Sequence, residues 1–271
     1  MSTAATPTTT TALLRATLAL PLLALASQAH AAQVQVTVNI ENLAPANSVS
    51  FAPLHLGFNN GTFDAFNLGQ VGNAATVSVA EGGAGGAWQA AFAAADPTAV
   101  RGTIGGPLLP GASKSASFTV DSVVNPFFTF AAMVIPSNDF FIGNDAPTEY
   151  RLLNAAGALQ LNSITVKAHE IWDAGSEVFD PAASAFVGNN SLRTDQGSVV
   201  AFNFAEFFGY NGLNTAAGYT FNSQLAANTD VYRISFTATP AVPEPESYAL
   251  MGAGLLALGA LARRRVANHA A

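Results

Sequence analysis

The sequence has no cysteine, which excludes disulfides, thiolate metal sites and a cysteine nucleophile together. Charge is nearly as scarce. Only 10% of the 271 residues are Asp, Glu, Lys or Arg, too few for a helical bundle, whose surfaces need Glu and Lys in quantity. Basic residues are the rarer sign: residues 33 to 240 hold 15 acids against 6 bases, a net charge of −9. Such a surface repels nucleic acid and anionic lipid and suits cations. No uncharged apolar run reaches the 18 or so residues of a comfortable membrane span. What the chain has instead is apolar and loop-forming material: 50% hydrophobic residues, 23 Gly and 14 Pro. That composition predicts a loop-rich all-β fold with ample core.

The two ends read as targeting segments. Residues 1–32 carry Arg15, the apolar run "ATLALPLLALA" (16–26) and Ala29-His30-Ala31, a small-x-small cleavage pattern, so they are expected to be a signal peptide. Residues 241–271 hold Val242-Pro243-Glu244-Pro245, an uncharged stretch from Tyr248 to Ala262, and Arg263-Arg264-Arg265. Fifteen helical residues measure about 22 Å against a hydrocarbon core of about 30 Å, so this is a short membrane helix at most. The arginines would stay cytoplasmic, leaving residues 33–240 on the exported side of the inner membrane. The three parts in this order resemble the PEP-CTERM sorting signal of Gram-negative bacteria. That resemblance implies recognition and removal of the tail by an exosortase-type enzyme, with release or attachment at the cell surface, often beside exopolysaccharide. The alternative is a tail that remains as a weak anchor.

Between the ends, "QVQVTVNIE" (33–41) alternates apolar and polar without a break and predicts a half-buried strand. Further strands are expected at 50–58, 75–81, 115–121, 163–170, 198–204 and 231–238. The continuous apolar run at 126–136 predicts a strand buried on both faces. About eight strands separated by Gly, Asn and Pro turns indicate an antiparallel β-sandwich. One helix is expected at 87–95, where Trp88, Ala91, Phe92 and Ala95 fall on one face. The preceding "EGGAGG" (81–86) lacks the context of a phosphate-binding loop and reads as a hinge.

Acids gather in "HEIWDAGSEVFD" (169–180): Glu170, Asp173, Glu177 and Asp180. Their spacing fits one helix face, but Gly175 and Pro181 oppose a helix, and Asp-Ala-Gly-Ser-Glu reads as a tight loop. In such a loop Asp173 and Glu177 can converge, which is unfavourable without a cation between them. Asp139 lies just beyond the strand that ends at Pro136, and the two loops are expected to share one pole of the sandwich. Asp145, Glu170 and Asp180 are read as hydrogen-bonded surface acids. With no Cys and two His (His55, His169) in residues 33–240, zinc lacks its usual ligands. A shell of carboxylates, loop carbonyls and water suits Ca²⁺. A loop capped by hydrogen bonds alone is the plainer alternative.

"MVIPSNDFFIGN" (133–144), followed by "IWDAGSE" (171–177), resembles the spondin domain of F-spondin and its bacterial relatives, and "NLAPANSVSFAPLHLGFNNGTFDAFNLG" (42–69) extends the likeness. The resemblance spans roughly residues 34–210. It implies an eight-stranded, C2-like sandwich that binds calcium in its loops, with the ligands falling on Asp139, Asp173 and Glu177. The chain departs from that pattern at Glu177, where the animal domains carry Asp, and in lacking their cysteine pairs.

Enzymatic motifs are thin. His169-Glu170-Ile171-Trp172-Asp173 has Asp where a zinc protease needs its second His, and no G-x-S-x-G occurs. A glycan-acting carboxylate pair among Asp139, Asp173 and Glu177 is chemically possible. The expectation is a non-enzymatic, calcium-binding surface adhesion or matrix module, its partners being the processing enzyme and exopolysaccharide or surface proteins. A structural coat protein without a specific ligand is the alternative.

Overall fold

In a computed structural model, residues 33–241 and 251–259 are described. The segment expected to be a signal peptide (1–32), residues 242–250 and residues 260–271 lie outside that range. The described residues form eleven strands: β1 (Gln33–Asn42), β2 (Ser50–Phe51), β3 (Leu54–Asn59), β4 (Val100–Ile104), β5 (Ser113–Asp121), β6 (Phe127–Ile135), β7 (Phe140–Gly143), β8 (Tyr150–Arg151), β9 (Ser163–Lys167), β10 (Trp172–Asp173) and β11 (Asp230–Pro240). Two helices, α1 (Ala74–Gly82) and α2 (Gly86–Ala95), follow β3.

The strands form two sheets whose neighbouring pairs are all antiparallel. One has four strands in the order β5-β1-β11-β9. The other has seven, with the path β10-β7-β6-β3-β4 and the short β2 and β8 added on β6. In β1, Val34, Val36, Val38 and Ile40 point into the core between the sheets while the residues between them face outward, as the alternation requires. Ala52-Pro53 divides the expected 50–58 strand into β2 and β3, since proline cannot donate to the ladder.

β6 shows why an unbroken apolar run can be a strand. Phe128, Phe130, Ala132 and Val134 face the inter-sheet core, whereas Ala131 faces a second core under the helices. That second core holds Phe63, Phe66, Val79, Trp88, Phe92 and Phe141. Phe63 stacks on Phe92 at 4.2 Å between ring centroids, and Trp88 meets both edge-on. Gly57 lets α2 approach β3, since a Cβ there would lie 2.3 Å from the Phe92 ring. The architecture is therefore a β-sandwich with a two-helix layer outside the larger sheet.

Three expectations need correction. Residues 75–81 are helical: the Asn73 side chain accepts the Thr76 N–H at 3.0 Å and Gly83, at φ 65°, closes the C-terminus. These caps decide against the Val77–Val79 alternation. "EGGAGG" is the tight connection between α1 and α2 rather than a hinge. A Cβ on Gly85 would fall 2.1 Å from His55 Nδ1, so the glycine admits a close approach. Residues 198–204 contribute only isolated bridges, Val71 with Val199 and Asp173 with Ala201, because they lie across loop ends instead of extending a sheet. The expected antiparallel β-sandwich is present, and among the described residues it has eleven strands, of which β4, β7, β8 and β10 are short and without a clear period. In the tail, residues 251–259 are helical, and among the described residues no helix is long and apolar enough to cross a membrane.

The strand directions place the chain ends. Val34 pairs with Pro240, and Ala241 N–H donates to Gln33 O at 2.8 Å, so the tail leaves from the pole where the sandwich begins. β11 runs back from that pole to Asp230, about 33 Å at 3.3 Å per residue, where it pairs with Lys167 at the end of β9. The connection carrying residues 168–173 starts there, away from the tail.

Candidate functional site

β6 and β7 are joined by Pro136–Asp139, and β10 pairs with β7 through Trp172–Phe141 and Asp173–Phe140. This pairing sets Asp139 against the 173–177 loop. Ala174 N–H donates to Asp139 O at 3.1 Å. Asp139 Oδ2 accepts from Ser176 N–H at 2.7 Å, Ser176 Oγ at 3.1 Å and Glu177 N–H at 3.0 Å. The sequence predicts that the two loops share a pole, and they do. Asp139 is the peg on which the second loop hangs, and it is 1% exposed.

The loop itself turns at Gly175, whose φ of 65° lies in the left-handed region. Asp173 Oδ1 accepts the Gly175 N–H at 2.7 Å, an Asx turn that starts the reversal. Asp173 Oδ2 accepts from Asn203 Nδ2 at 3.0 Å, and the same amide donates to Glu206 Oε1 at 2.5 Å. Asn203 thus ties a further carboxylate to the cluster. Neighbouring Asn138 holds the far side, accepting from Asp180 N–H at 3.1 Å and from the buried Tyr210 hydroxyl at 2.8 Å.

Glu177 differs from the other two. Its side chain is 1% exposed, yet neither carboxylate oxygen accepts a hydrogen bond. An ionic contact reaches it from Arg193, whose Nη1 lies 3.4 Å from Glu177 Oε1 and 2.9 Å from Glu81 Oε2. Arg193 sits on the long 181–199 loop, and Glu81 on the last turn of α1. Glu177 also forms an isolated antiparallel bridge with Asp195, two residues beyond Arg193.

The charges raise one another. Burial, then the nearby Asp173 carboxylate, pushes Asp139 up to about 6 despite its three donors. Burial, then Glu81, pushes Glu177 up to about 7, with Arg193 opposing. Burial, then Asp173 and Asp139, pushes Glu206 up to about 7. This is a cluster of carboxylates that Arg193 contacts at Glu177 and Glu81.

Among the described residues, no three His, Asp or Glu side chains stand close enough together to hold a metal ion. Asp139 and Asp173 act on each other, whereas Glu177 makes its ionic contact with Arg193, beside Glu81. Sequence reasoning missed Glu81, Arg193, Asn203 and Glu206. Glu81 and Asn203 stood in segments expected to be strands, Glu206 just after one of them, and Arg193 in a loop with no pattern. The acids read as surface residues do make hydrogen bonds: Glu170 Oε2 accepts from Lys167 N–H at 2.7 Å and Asp180 Oδ1 from Ala182 N–H at 2.8 Å, both local, while Asp145 Oδ1 accepts from the sequence-distant Leu68 N–H at 3.0 Å. His169 Nδ1 lies 2.8 Å from Ala227 O.

Comparison with known proteins identifies one segment. Residues 241–265 match the family described as the PEP-CTERM protein-sorting motif. The chain therefore carries an exosortase-type sorting signal, which marks it for export and C-terminal processing at the cell envelope. No curated protein matches the chain, and the likeness of residues 34–210 to spondin domains gains no family match.

Proposed function

We propose that this chain is an exported, non-enzymatic surface module of spondin-like type whose acidic pole binds calcium. Asp139, Asp173 and Glu177 are the ligands, completed by loop carbonyls and water. The loaded pole then engages exopolysaccharide or a neighbouring surface protein. The observation that supports this reading is Glu177, a buried carboxylate whose oxygens accept no hydrogen bond, beside Asp139, Asp173 and Glu206, with Arg193 as its ionic contact. A hard divalent cation relieves the repulsion among these carboxylates, and Ca²⁺ tolerates the irregular six-to-eight oxygen geometry that two loops can offer. Side-chain rotation at Asp173 and Glu177 is needed to complete the shell. The position of the pole suits a contact in trans, since the sorting tail leaves from the opposite end of β11.

Thermal denaturation of the full chain in detergent, with EDTA and with Ca²⁺, tests the metal. At a free concentration a hundredfold above Kd, linkage predicts about 2.7 kcal/mol of added stability. An unmoved transition, or an equal shift in Asp173→Asn, would defeat the assignment. Retention on the producing cell's own polysaccharide, compared with and without EDTA, tests the adhesive role.

A second reading is favoured by the three donors already on Asp139 Oδ2. In it the carboxylate only clamps the 173–177 loop, and the protein is a coat component without a bound ion. A glycan-acting enzyme would instead release reducing ends and lose that activity in Asp139→Asn.

A further inference from the structure

The four-stranded sheet ends in β5, and the outer edge of that strand is unpaired. Backbone bonds fix which groups face which way: Asn42 N–H donates to Ala112 O at 3.0 Å, while Leu43 N–H donates to Val231 O at 2.9 Å. Even-numbered residues of β1 therefore bond towards β5 and odd-numbered ones towards β11. Since Val38 lies opposite Ala116, the N–H and C=O groups of Ser113, Ser115, Ser117 and Thr119 point away from the sheet. Among the described residues no backbone group pairs with them. Such an edge is a template for a further strand unless something guards it. The usual guards are missing from β5. Its nine residues hold no proline, its pairing with β1 runs from Asp121 to Ser113 without a bulge, and Ser113, Ser115, Ser117 and Thr119 expose only small hydroxyl side chains. Lys114, near one end, is turned to Gly105 O at 2.7 Å. The other sheet edges are shorter: β4 and β9 have five residues each, and β10 has two and is covered by the bridge from Asp173 to Ala201.

We infer that β5 pairs with β5 of a second copy of this chain, antiparallel about a two-fold axis at Ser117, so that one continuous sheet runs through both molecules. The strand is its own complement in this register. Ser117 meets Ser117, Ser115 meets Thr119 and Ser113 meets Asp121, so hydroxyls face hydroxyls or a carboxylate and no like charges meet. Lys114 falls opposite Val120. The flanks of the strand favour a second copy over a strand from another protein. Leu109 precedes β5, Val123 and Val124 follow it, and all three are exposed. The two-fold brings the Leu109 end of one copy beside the Val123–Val124 end of the other, where both can be covered. None of these residues belongs to the acidic pole, so the pairing is independent of what the pole binds.

Sedimentation equilibrium of the full chain in density-matched detergent tests this, with Ser117→Pro, Ser117→Lys and Ser117→Glu beside the wild type and each shown to be folded by circular dichroism. The Ser117 N–H faces outward, so proline there costs the single molecule no ladder bond, yet it removes both central bonds between the copies. The wild type is expected to show a reversible monomer–dimer equilibrium that Ser117→Pro weakens about tenfold or more. Each charged variant alone should weaken it about fivefold, because two like charges then face each other across the axis. An equimolar mixture of Ser117→Lys and Ser117→Glu should recover the lost affinity. Ser235→Lys, on the same sheet face but two strands in from the edge, should leave the equilibrium unchanged. A wild type that stays monomeric at every accessible concentration overturns the inference, as does a dimer that the Ser117 variants leave unmoved. A dimer lost in both charged variants but not recovered in their mixture overturns the two-fold at Ser117.

Discussion

Replacing Asp139 by alanine should be the most damaging single change at the acidic pole, with or without calcium. The carboxylate is buried and its Oδ2 accepts three hydrogen bonds from Ser176 and Glu177. Alanine strands those donors, two of them backbone N–H groups of the loop. A buried donor without a partner costs about 1 kcal/mol or more, and the Ser176 hydroxyl can recover part of its loss by rotating. The sum is about 3 kcal/mol, which for a domain of this size is a drop of roughly 6–12 °C in Tm. Asp139→Asn should be far milder in EDTA: its carbonyl oxygen still accepts from the loop, and the repulsion from Asp173 is gone. Denaturant melts of the wild type and both variants, in EDTA at pH 8, separate these cases. An Asp139→Ala variant within 1 kcal/mol of the wild type would show that this carboxylate does not hold the two loops together.

Further expectations can be checked in the same preparations. Asp139, Glu177 and Glu206 hold their protons more tightly folded than unfolded, since burial and mutual repulsion push them to about 6, 7 and 7. Their contribution to stability is full below about pH 4 and is lost as pH rises through 6 to 7, so the metal-free Tm should fall across that window and calcium should flatten the fall. A metal-free Tm that climbs from pH 4.5 to 8 would contradict this. Gly175→Ala forces a side chain into the left-handed region, with its Cβ 2.7 Å from Ser198 C and Val199 O. A loss of about 2 kcal/mol is expected by chemical denaturation. Phe92→Ala removes the ring that stacks on Phe63 under the helix layer and should cost about 3–5 kcal/mol. Replacing Pro243-Glu244-Pro245 with alanines should leave an unprocessed precursor in the inner membrane, visible as a slower band on immunoblots of fractionated cells.

Some of this molecule is plain in its sequence. The alternation of 33–41 is that of β1, and the run 126–136 bounded by prolines is a strand that separates two cores. The acidic loop is also legible, because Gly175 within Asp-Ala-Gly-Ser-Glu signals a turn that two neighbouring acids must share. Other features are hidden for physical reasons. Residues 75–81 alternate as a strand would, and the caps that make them helical, Asn73 and Gly83, lie just outside the alternating segment. Glu81 reaches Arg193, and Asn203 reaches Asp173, across separations that no local period encodes. The neighbours that decide whether Glu177 carries a proton, an arginine or a metal ion are brought to it by tertiary folding, so its role is open in the sequence.

The account turns on whether the pole takes up a divalent ion, and titration of calcium into the metal-free full chain at pH 8 measures that directly. The expected result is saturable binding that weakens at least tenfold in Asp173→Asn and raises the wild-type Tm. Heats that merely match the buffer blank would leave an exported β-sandwich whose acidic loops are held by hydrogen bonds and the Arg193 ion pairs.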